Sequence, residues 1–388
     1  MRTVGVICEY NPFHHGHLTQ FRQIRTLFGE DAAIICLMSG NFVQRGECAV
    51  FDKLVRASAA VDCGASLVLE LPVTGALRSA EGFARCGVEI LDALGVETLA
   101  FGIESGETEN FLRLAAAMDT PEYDAALRAA LASGQSYPAA REAAARSLHL
   151  PVELLKTPNN ILGLEYCKAA LGRRIRPAAL HRAGDYHAPI PDAEAPSASS
   201  LRAVLEGNGD VSPFVPEAAA RRYVDAERHF PQYGERAMLA RLRGMTPEDW
   251  ARTAHGSEGL WSLAMRAAQC CGTLQELESM VKSRRYPMTR VRRLLLCAAL
   301  GLTEDSLNLE IPYVRALAMD GAGRRVLREM RVLETLPIIN AGQTPEDKDY
   351  FELELRAAGL YGLFGEGSVC APPSRLRDER IYVRRSAE

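Results

Sequence analysis

The sequence predicts an α/β protein, with a doubly wound parallel sheet in the first half of the chain and a mostly α-helical second half. Over residues 3–103, short continuous apolar runs alternate with segments of helical spacing, as in a parallel sheet covered on both faces. From about residue 208 onward, nearly every segment has helical spacing. The composition, 47% hydrophobic and 24% charged over 388 residues, is that of a globular chain.

Five apolar runs predict the strands of this sheet. They are TVGVIC (3–8), AIICLM (33–38), SLVLEL (66–71), ETLAFGI (97–103) and RIRPAAL (174–180). The segments between the first four have helical spacing and end at a glycine, a common helix stop. They are 17–29, 51–64 and 79–95. Strands that alternate with helices in this way predict parallel neighbours and a doubly wound domain.

Helices dominate the rest of the chain. Ala-rich helical segments follow the fourth strand, and Ser197 is the predicted cap of a further helix. Gly-Asn-Gly-Asp at 207–210, followed by two prolines, marks a domain boundary. We therefore expect two domains, 1–207 and 208–388. The helical segments predicted for the second are 216–230, 234–243, 247–253, 259–269, 273–282, 288–301, 304–307 and 321–336.

Charge, hydropathy and cysteine usage exclude several classes of protein. The net charge of −4 argues against indiscriminate nucleic-acid binding, although it leaves room for a local basic patch. No apolar run reaches the roughly 18 residues that a membrane-spanning helix needs, so we expect no membrane partner. The ten cysteines include no CxxC pair, which argues against a metal site and favours a reducing, cytoplasmic location.

The strongest local signal is NPFHHGH (11–17), between the first predicted strand and the first predicted helix. Ligands of doubly wound sheets bind at such junctions, and the N–H groups of a helix N-terminus favour phosphate. His14 and His17 can donate to phosphate oxygens and stabilise charge developing at an α-phosphate, while Gly16 permits close backbone approach. A structural turn with solvated histidines, or a metal site, is the alternative. Three histidines in four residues favour the phosphate site.

The HxGH pattern at 14–17 resembles the signature of the HIGH-type nucleotidyltransferases, a Rossmann-like superfamily shared with class I tRNA synthetases. Within it, the chain resembles the bacterial tRNA(Met) cytidine acetate ligases. The matching stretches are GVICEYNPFHHGH (5–17), MSGNFVQRGE (38–47), LVLELP (67–72), FGIE (101–104), KTPNNILGLEY (156–166), HRAGDYH (181–187) and SRRYPMTRVRRLL (283–295). The resemblance implies that acetyl-adenylate forms from ATP and acetate. The acetyl group then goes to N4 of the wobble cytidine, C34, of elongator tRNA(Met).

The resemblance also implies the residues of the site, with His14 and His17 as the catalytic pair. ATP contacts are implied for Ile7, Cys8, Glu9, Tyr10, Asn11, Pro12, Phe13, His14, His15, Gly16, His17, Leu18, Thr19, Gln20, Gly102, Asn159 and Arg182. Mg²⁺ is expected with the ATP, although it leaves no motif. Asn159 and Asn160 are both also candidate helix caps. We favour Asn159 as the ATP contact, because Asn160 then falls within the helix start.

The loop MSGNFVQRGE (38–47) follows the second strand and lies at the same sheet edge as the HxGH junction. Asn41 and Arg45 of this loop are candidate phosphate or acetate contacts, since a guanidinium can hold either anion with two hydrogen bonds. A solvated surface loop is the alternative. Cys48 stands where the family usually has proline, which we interpret as a change in loop stiffness.

SASSLR (197–202) resembles a phosphate loop of the nucleotidyltransferases. Ser199 and Arg202 are further candidates for phosphate or acetate, because hydroxyls and a helix N-terminus hold phosphate and an arginine neutralises pyrophosphate. A Ser-capped helix with a solvated arginine is the alternative.

A dense group of cations on an otherwise acidic chain predicts an RNA-binding surface. Residues 282–293 contain six cations, with Tyr286 between them and available for stacking on a base. The predicted tRNA-binding residues are Arg284, Arg285, Arg290, Arg292 and Arg293. A solvated helix face is the alternative, and the resemblance favours RNA.

Three functions remain open on the residues alone. The first is an ATP-dependent ligase that uses acetate and acts on elongator tRNA(Met). The second is an adenylyltransferase that builds a nucleotide cofactor from a small phosphorylated acceptor. The third is a non-enzymatic RNA-binding protein with a relic nucleotide site. The intact HxGH argues against the third and the large helical half against the second, so we expect the ligase. Its oligomeric state and its acetate pocket are not assigned.

Overall fold

The computed structural model describes residues 1–182, 196–367 and 369–384. Within these ranges, eight strands form one sheet and two form a separate hairpin. The strands are β1 (Thr3–Cys8), β2 (Ala33–Ser39), β3 (Phe42–Val43), β4 (Glu47–Cys48), β5 (Leu67–Leu71), β6 (Thr98–Ile103), β7 (Arg176–His181), β8 (Val314–Met319), β9 (Ile338–Asn340) and β10 (Tyr382–Val383).

Helices cover the sheet and fill most of the second half. They are α1 (His15–Phe28), α2 (Lys53–Asp62), α3 (Val73–Ala76), α4 (Ala80–Ala93), α5 (Thr108–Met118), α6 (Pro121–Ala132), α7 (Tyr137–Ser147), α8 (Pro158–Ala170), α9 (Ala198–Glu206), α10 (Glu217–Tyr223), α11 (Pro231–Arg243), α12 (Pro247–Arg252), α13 (Leu260–Cys270), α14 (Leu274–Val281), α15 (Met288–Leu300), α16 (Glu304–Asn308), α17 (Gly321–Val332) and α18 (Lys348–Gly362). Short 3₁₀ helices lie at Val152–Leu155, Ser212–Phe214 and Pro373–Arg377. In the described ranges, no helix is long and apolar enough to cross a membrane.

The large sheet is doubly wound, as the sequence predicts. Its strand order is β10-β8-β5-β2-β1-β6-β7, with β9 beside β8. The chain runs from β1 outward through β2 and β5, then returns to pair β6 with the other side of β1, in parallel throughout. The order therefore reverses at β1, and the carboxyl ends of β1 and β6 border the crevice where such sheets bind ligands.

The expectation of a separate helical domain over 208–388 needs correction. Strand β8 pairs antiparallel with β5 along one edge. Along its other edge it pairs in parallel with β9 and with β10. The last part of the chain thus completes the first sheet. VRALAM (314–319) is apolar except at Arg315 and is buried along its whole length, so its signal resembles that of SLVLEL (66–71), which includes Glu70. Helical segments on both sides hid that signal.

The two halves also share their cores. One buried cluster is built mainly from α11 to α16 and α18, and it includes Phe42 and Cys48 of the β3–β4 hairpin with Val73 and Leu77 of the first half. The hairpin therefore packs against helices from the second half of the chain, which places α15 beside the crevice at the sheet edge.

Candidate nucleotide-binding site

A cavity of about 680 Å³ opens at the carboxyl edge of the sheet, at the predicted crevice. Its floor is formed by the ends of β1, β6 and β7 and by the first turn of α1. The β3–β4 hairpin and residues from α4, α8, α9 and α15 form its walls. The size is that of a small-molecule site.

The HxGH segment joins β1 to α1 and caps the helix with its own side chains. His14 is the N-cap residue, and its Nδ1 accepts a hydrogen bond from the Gly16 N–H at 3.1 Å. The His14 N–H donates to Nδ1 of His17 at 3.2 Å, which completes a reciprocal cap. Because each Nδ1 accepts an N–H, we assign the proton of each neutral ring to Nε2. Both residues line the cavity, so each contributes an N–H donor to it.

Burial keeps both histidines uncharged. His14 is 1% exposed, and burial, Arg182 and His15 lower its pKa to about 3. Burial, His14 and Arg182 lower the pKa of His17 well below its usual value. The centres of the two rings are 3.8 Å apart. At neutral pH each ring is therefore available as a hydrogen-bond donor, the form of histidine that can stabilise charge developing on an anion.

The second half of the chain anchors this turn. The Phe13 N–H donates to the Tyr223 hydroxyl of α10 at 3.0 Å, and the Tyr223 ring stacks on Phe51 with 4.4 Å between centres. On the other side, Tyr10 makes an edge contact with the His17 ring at 4.8 Å. Because Phe13 and Tyr10 are buried, the histidines project from a packed aromatic base.

The carboxyl ends of β6 and β7 bring three predicted ATP contacts together. A Cβ at Gly102 would lie 2.8 Å from Cδ of Arg182, so the arginine stem lies directly against the glycine. Asn159 Oδ1 accepts a hydrogen bond from Nη1 of Arg182 at 3.4 Å. All three residues line the cavity. Residues 183–187, the rest of the HRAGDYH stretch, lie outside the described residues.

The Asn159–Asn160 pair divides into one cavity residue and one structural residue. Asn159 lines the cavity and donates from Nδ2 to Glu104 Oε1 at 2.6 Å. Asn160 is fully buried; its Oδ1 accepts the Glu104 N–H at 2.9 Å and its Nδ2 donates to the Ser105 carbonyl at 3.2 Å. The expectation that one of them caps the helix is wrong, because Thr157 is the N-cap residue. The choice of Asn159 as the ATP contact stays a prediction, favoured by its position.

Arg45, Ser199 and Arg202 line the cavity, at the places where the sequence predicts anion contacts. Arg202 donates from Nη1 to the Asn11 carbonyl at 3.1 Å and from Nη2 to the Ser199 hydroxyl at 3.3 Å. Its guanidinium also lies 3.6 Å from the Glu47 carboxylate. Arg202 therefore links the start of α9 to the HxGH junction.

The structure corrects the expectation for Asn41, which does not line the cavity. Its Oδ1 accepts the Lys53 N–H at 2.7 Å, and its Nδ2 donates to Asp52 Oδ2 at 3.1 Å. Both ends of the amide are thus used at the start of α2. A polar residue in a glycine-containing loop fits a helix-start role as well as an anion site, and the sequence does not separate the two.

The β3–β4 hairpin is held from both sides by contacts with other segments of the chain. The Gln44 N–H donates to Glu9 Oε1 at 2.8 Å, and burial is the main cause that raises the pKa of Glu9. Gly46 has φ +78°, and a Cβ there would lie 2.4 Å from the backbone nitrogen of Arg293. Only glycine allows this approach. Cys48 is buried in the helical core and its thiol donates to the His229 carbonyl at 3.8 Å.

Helix α15 brings two side chains to the cavity that sequence reasoning did not place there. Thr289 and Arg293 are four residues apart, so they lie on one helix face. Arg293 was expected to bind tRNA, but it is 7% exposed and donates from Nη1 to the Gln44 carbonyl at 3.2 Å. A cation with this burial is not presented to a polynucleotide. The i, i+4 spacing was visible in the sequence, but the contact with the hairpin was not.

The other cations of this stretch lie in different surroundings. Arg284 and Arg285 are exposed, and Arg285 pairs with Glu258 at 3.0 Å. Arg292 pairs with Glu47 and Glu278, which ties the hairpin to α14. Arg290 donates to the carbonyls of His255 and Ser257. Tyr286 is buried and its hydroxyl donates to the Glu258 carbonyl at 2.6 Å, so the expectation that it is available for stacking is wrong.

The fold and the HxGH cavity define a nucleotidyltransferase, and residues 1–372 match the HIGH Nucleotidyl Transferase family. The tRNA(Met) cytidine acetate ligase of Acetivibrio thermocellus is 34% identical over 93% of this chain and 94% of that protein. The ligase of the same name from Kosmotoga olearia is 32% identical over 99% of this chain and 100% of its own length. The chain belongs to the tRNA(Met) cytidine acetate ligase family.

Two crystal structures of Thermotoga maritima TmcAL are similar to this chain over 100% of both chains, at 29% identity. One is bound with alpha-thio ATP and has a TM-score of 0.88. The other is the apo form, with a TM-score of 0.91. The nucleotidyltransferase fold predicted from the sequence is thereby confirmed.

Proposed function

We propose that this protein is an ATP-dependent ligase that forms acetyl-adenylate from ATP and acetate. It then transfers the acetyl group to N4 of the wobble cytidine, C34, of elongator tRNA(Met). The observation that carries the proposal is the pair of neutral Nε2–H donors of His14 and His17, fixed at a helix N-terminus on the floor of a cavity. The names of the family members supply the substrates.

In the first half-reaction, an acetate oxygen attacks the α-phosphorus of ATP. A bond forms between the acetate oxygen and the α-phosphorus. The bond from the α-phosphorus to the oxygen that bridges it to the β-phosphorus breaks, and pyrophosphate leaves with the electron pair. His14 and His17 donate to the oxygens that gain charge, and the positive end of the α1 dipole adds to this field. Arg202 is the candidate cation for pyrophosphate, and Arg45 is a candidate for phosphate or acetate. Direct attack needs no covalent enzyme intermediate.

Gly102, Asn159 and Arg182 are proposed to hold ATP at the ends of β6 and β7. Mg²⁺ would neutralise the phosphates when bound. Among the described residues, no group of three or more His, Cys, Asp or Glu side chains is placed to hold a metal ion. Mg²⁺ is expected to bind through the ATP phosphates, a mode of binding that this ion favours.

In the second half-reaction, N4 of the cytidine attacks the acetyl carbonyl carbon. A C–N bond forms, the bond to the adenylate oxygen breaks, AMP leaves, and N4 loses a proton. Arg284 and Arg285 are the exposed cations of the predicted tRNA surface, and Arg290 and Arg292 are half-buried. A cytoplasmic location, where tRNA is found, goes with this proposal.

The test is ATP–pyrophosphate exchange without tRNA, run with a panel of small carboxylates and, in parallel, small phosphorylated acceptors. The proposal predicts exchange that depends on acetate. Exchange that depends on a phosphorylated acceptor, with none on acetate, would replace it with a cofactor-forming adenylyltransferase.

A further inference from the structure

Arg293 is a buried cation that has no acidic partner among the described residues. Its guanidinium lies in the wall of the cavity, with one hydrogen bond, to the Gln44 carbonyl, and with a buried Nε that has no partner in the described part of the chain. Burial and the neighbouring Arg290 lower its pKa to about 10. A buried charge is costly unless it is paired, so this group is placed to receive an anion.

Two arginines that are more deeply buried, Arg315 and Arg56, have their partners within the protein. Arg315, 1% exposed, donates to Glu354 Oε2 at 2.6 Å. Arg56 is fully buried and donates to the backbone carbonyls of Phe51, Glu9, Ser39 and Gly40. Arg293 differs from both because, among these three, it alone lines the cavity and has neither a described carboxylate partner nor more than one hydrogen bond in the described residues. Thr289, one turn earlier, also lines the cavity, and its hydroxyl has no partner among the described residues.

The position of Arg293 separates it from the residues proposed to hold ATP. Gly102 and Arg182 lie at the ends of β6 and β7, on one side of β1, and Asn159 at the start of α8 contacts Arg182 there. The hairpin that Arg293 contacts follows β2, on the other side of β1. The HxGH turn leaves β1 between the two. A group bound near Arg293 therefore faces the HxGH turn from the side opposite the proposed nucleotide.

The surroundings of Arg293 in the cavity include apolar side chains. Val43 precedes the residue whose carbonyl Arg293 binds, and Gln44 Nε2 donates to the Arg78 carbonyl, just before the start of α4. Ala80 and Phe83 of α4 line the cavity at this side. A cation beside small apolar surfaces suits a short acid that has one carboxylate and one methyl group.

We propose that Arg293, assisted by Thr289, binds the carboxylate of acetate, and that Val43, Ala80 and Phe83 enclose its methyl group. This inference rests on the proposed function, and it assigns the acid subsite of the same cavity. The subsite places a carboxylate oxygen on the HxGH side of the guanidinium, where attack on the α-phosphorus is required. Helix α15 then contributes directly to acetate activation.

The first test measures acetate-dependent ATP–pyrophosphate exchange in the full chain for Arg293→Gln and Arg293→Lys. Loss of one charge-assisted contact is expected to raise the KM for acetate about 10- to 100-fold in Arg293→Gln. The KM for ATP of Arg293→Gln is expected to stay within about threefold of the wild-type value. Arg293→Lys keeps the charge but lacks the planar pair of donors, so its KM for acetate is expected to lie between those of the wild type and Arg293→Gln. Arg266→Gln, at an exposed arginine of α13, is the matched control and changes neither constant.

The second test changes the apolar side of the subsite. Val43→Ala makes room for one methylene, so the ratio of kcat/KM for propionate to that for acetate is expected to rise about tenfold or more. This measurement does not remove the buried cation. It therefore decides the proposal if Arg293→Gln fails to fold, which thermal unfolding would reveal.

The outcomes separate the subsite from the function. Acetate-dependent exchange in the wild type, with an unchanged KM for acetate in a folded Arg293→Gln, overturns the subsite and leaves the ligase in place. A rise in the KM for ATP or pyrophosphate as large as the rise in the KM for acetate assigns Arg293 to phosphate binding and also overturns the acetate subsite. An unchanged propionate ratio in Val43→Ala removes the methyl pocket. Absence of acetate-dependent exchange in the wild type overturns the function and the subsite together.

Discussion

The two sides of the cavity differ in how they are built. The HxGH turn is local: His14, Gly16 and His17 fix one another through hydrogen bonds within four residues, and the histidines stay neutral. The opposite side is assembled from distant segments, where the hairpin after β2 meets Arg293 of α15. The comparison teaches that a preorganised donor pair can be encoded locally, whereas placing a buried charge requires packing between the two halves of the chain.

Removing the local donors should have the largest effect. Each of His14→Ala and His17→Ala is expected to lower acetate-dependent exchange about 10²- to 10³-fold, because a preorganised donor to the developing charge is lost. His14→Asn retains an oxygen that can cap α1, so it should keep the thermal stability of the wild type while losing the rate. Near-normal exchange in both alanine variants would remove the histidines from the catalytic site.

The Asn159–Asn160 pair tests the same division between function and structure. Asn159→Ala is expected to raise the KM for ATP without lowering thermal stability. Asn160→Ala leaves buried backbone groups at Glu104 and Ser105 unpaired, so it should cost about 1–3 kcal/mol of unfolding free energy. Denaturant unfolding and exchange kinetics on both variants check this. The reverse assignment of the two effects would contradict the ATP role of Asn159.

Much of this local side of the molecule follows from the sequence. Strands β1, β2, β5, β6 and β7, the crevice at β1 and the HxGH turn follow from apolar runs, glycine stops and one seven-residue motif. Strand β8 carries the same apolar signal but lies between helical segments, so its pairing with β5 depends on contacts more than 240 residues away in sequence, such as Leu67 with Met319. Arg293 and Arg285 belong to one basic stretch, and only packing makes one buried and the other exposed.

Acid should destabilise the HxGH turn through His14. Its folded pKa of about 3 lies below the unfolded value of about 6.5, so the unfolded chain binds more protons as the pH falls between them. The unfolding free energy is therefore expected to fall by about 2 kcal/mol between pH 7 and pH 5 through this residue. Urea unfolding at pH 7 and pH 5 measures this fall. In His14→Asn the fall in unfolding free energy should be smaller than in the wild type by that amount.

His149→Asn is the matched control for this experiment. It removes an exposed imidazole at a position with φ +53°, which asparagine tolerates. The control should retain the pH dependence of the wild type. If His14→Asn retains it as well, burial does not hold His14 uncharged in the folded protein.

The smallest expected effect belongs to the exposed cations. Arg284→Glu with Arg285→Glu is expected to weaken tRNA binding and to flatten the log–log salt dependence by about 0.7–0.9 per lost phosphate contact. Acetate-dependent exchange should be unchanged. The pair Arg324→Glu with Arg325→Glu is the control. Both arginines are exposed on α17, which begins where β8 ends beside the amino end of β5, whereas the cavity opens at the carboxyl ends of the parallel strands. Equal effects of both pairs on binding would mean that the tRNA surface is not specific to the α15 side.

The most direct test of the account is whether acetyl-adenylate forms without tRNA. Purified protein is incubated with Mg–ATP and labelled acetate alone, the adenylate is separated and quantified, and tRNA(Met) is then added. The account predicts acetyl-adenylate and pyrophosphate before tRNA is present, and transfer of the label to tRNA(Met) afterwards, because the described cavity already contains the donors and cations proposed for the first half-reaction. Formation of the adenylate only after tRNA is added would contradict it, since the cavity would then be incomplete until RNA binds.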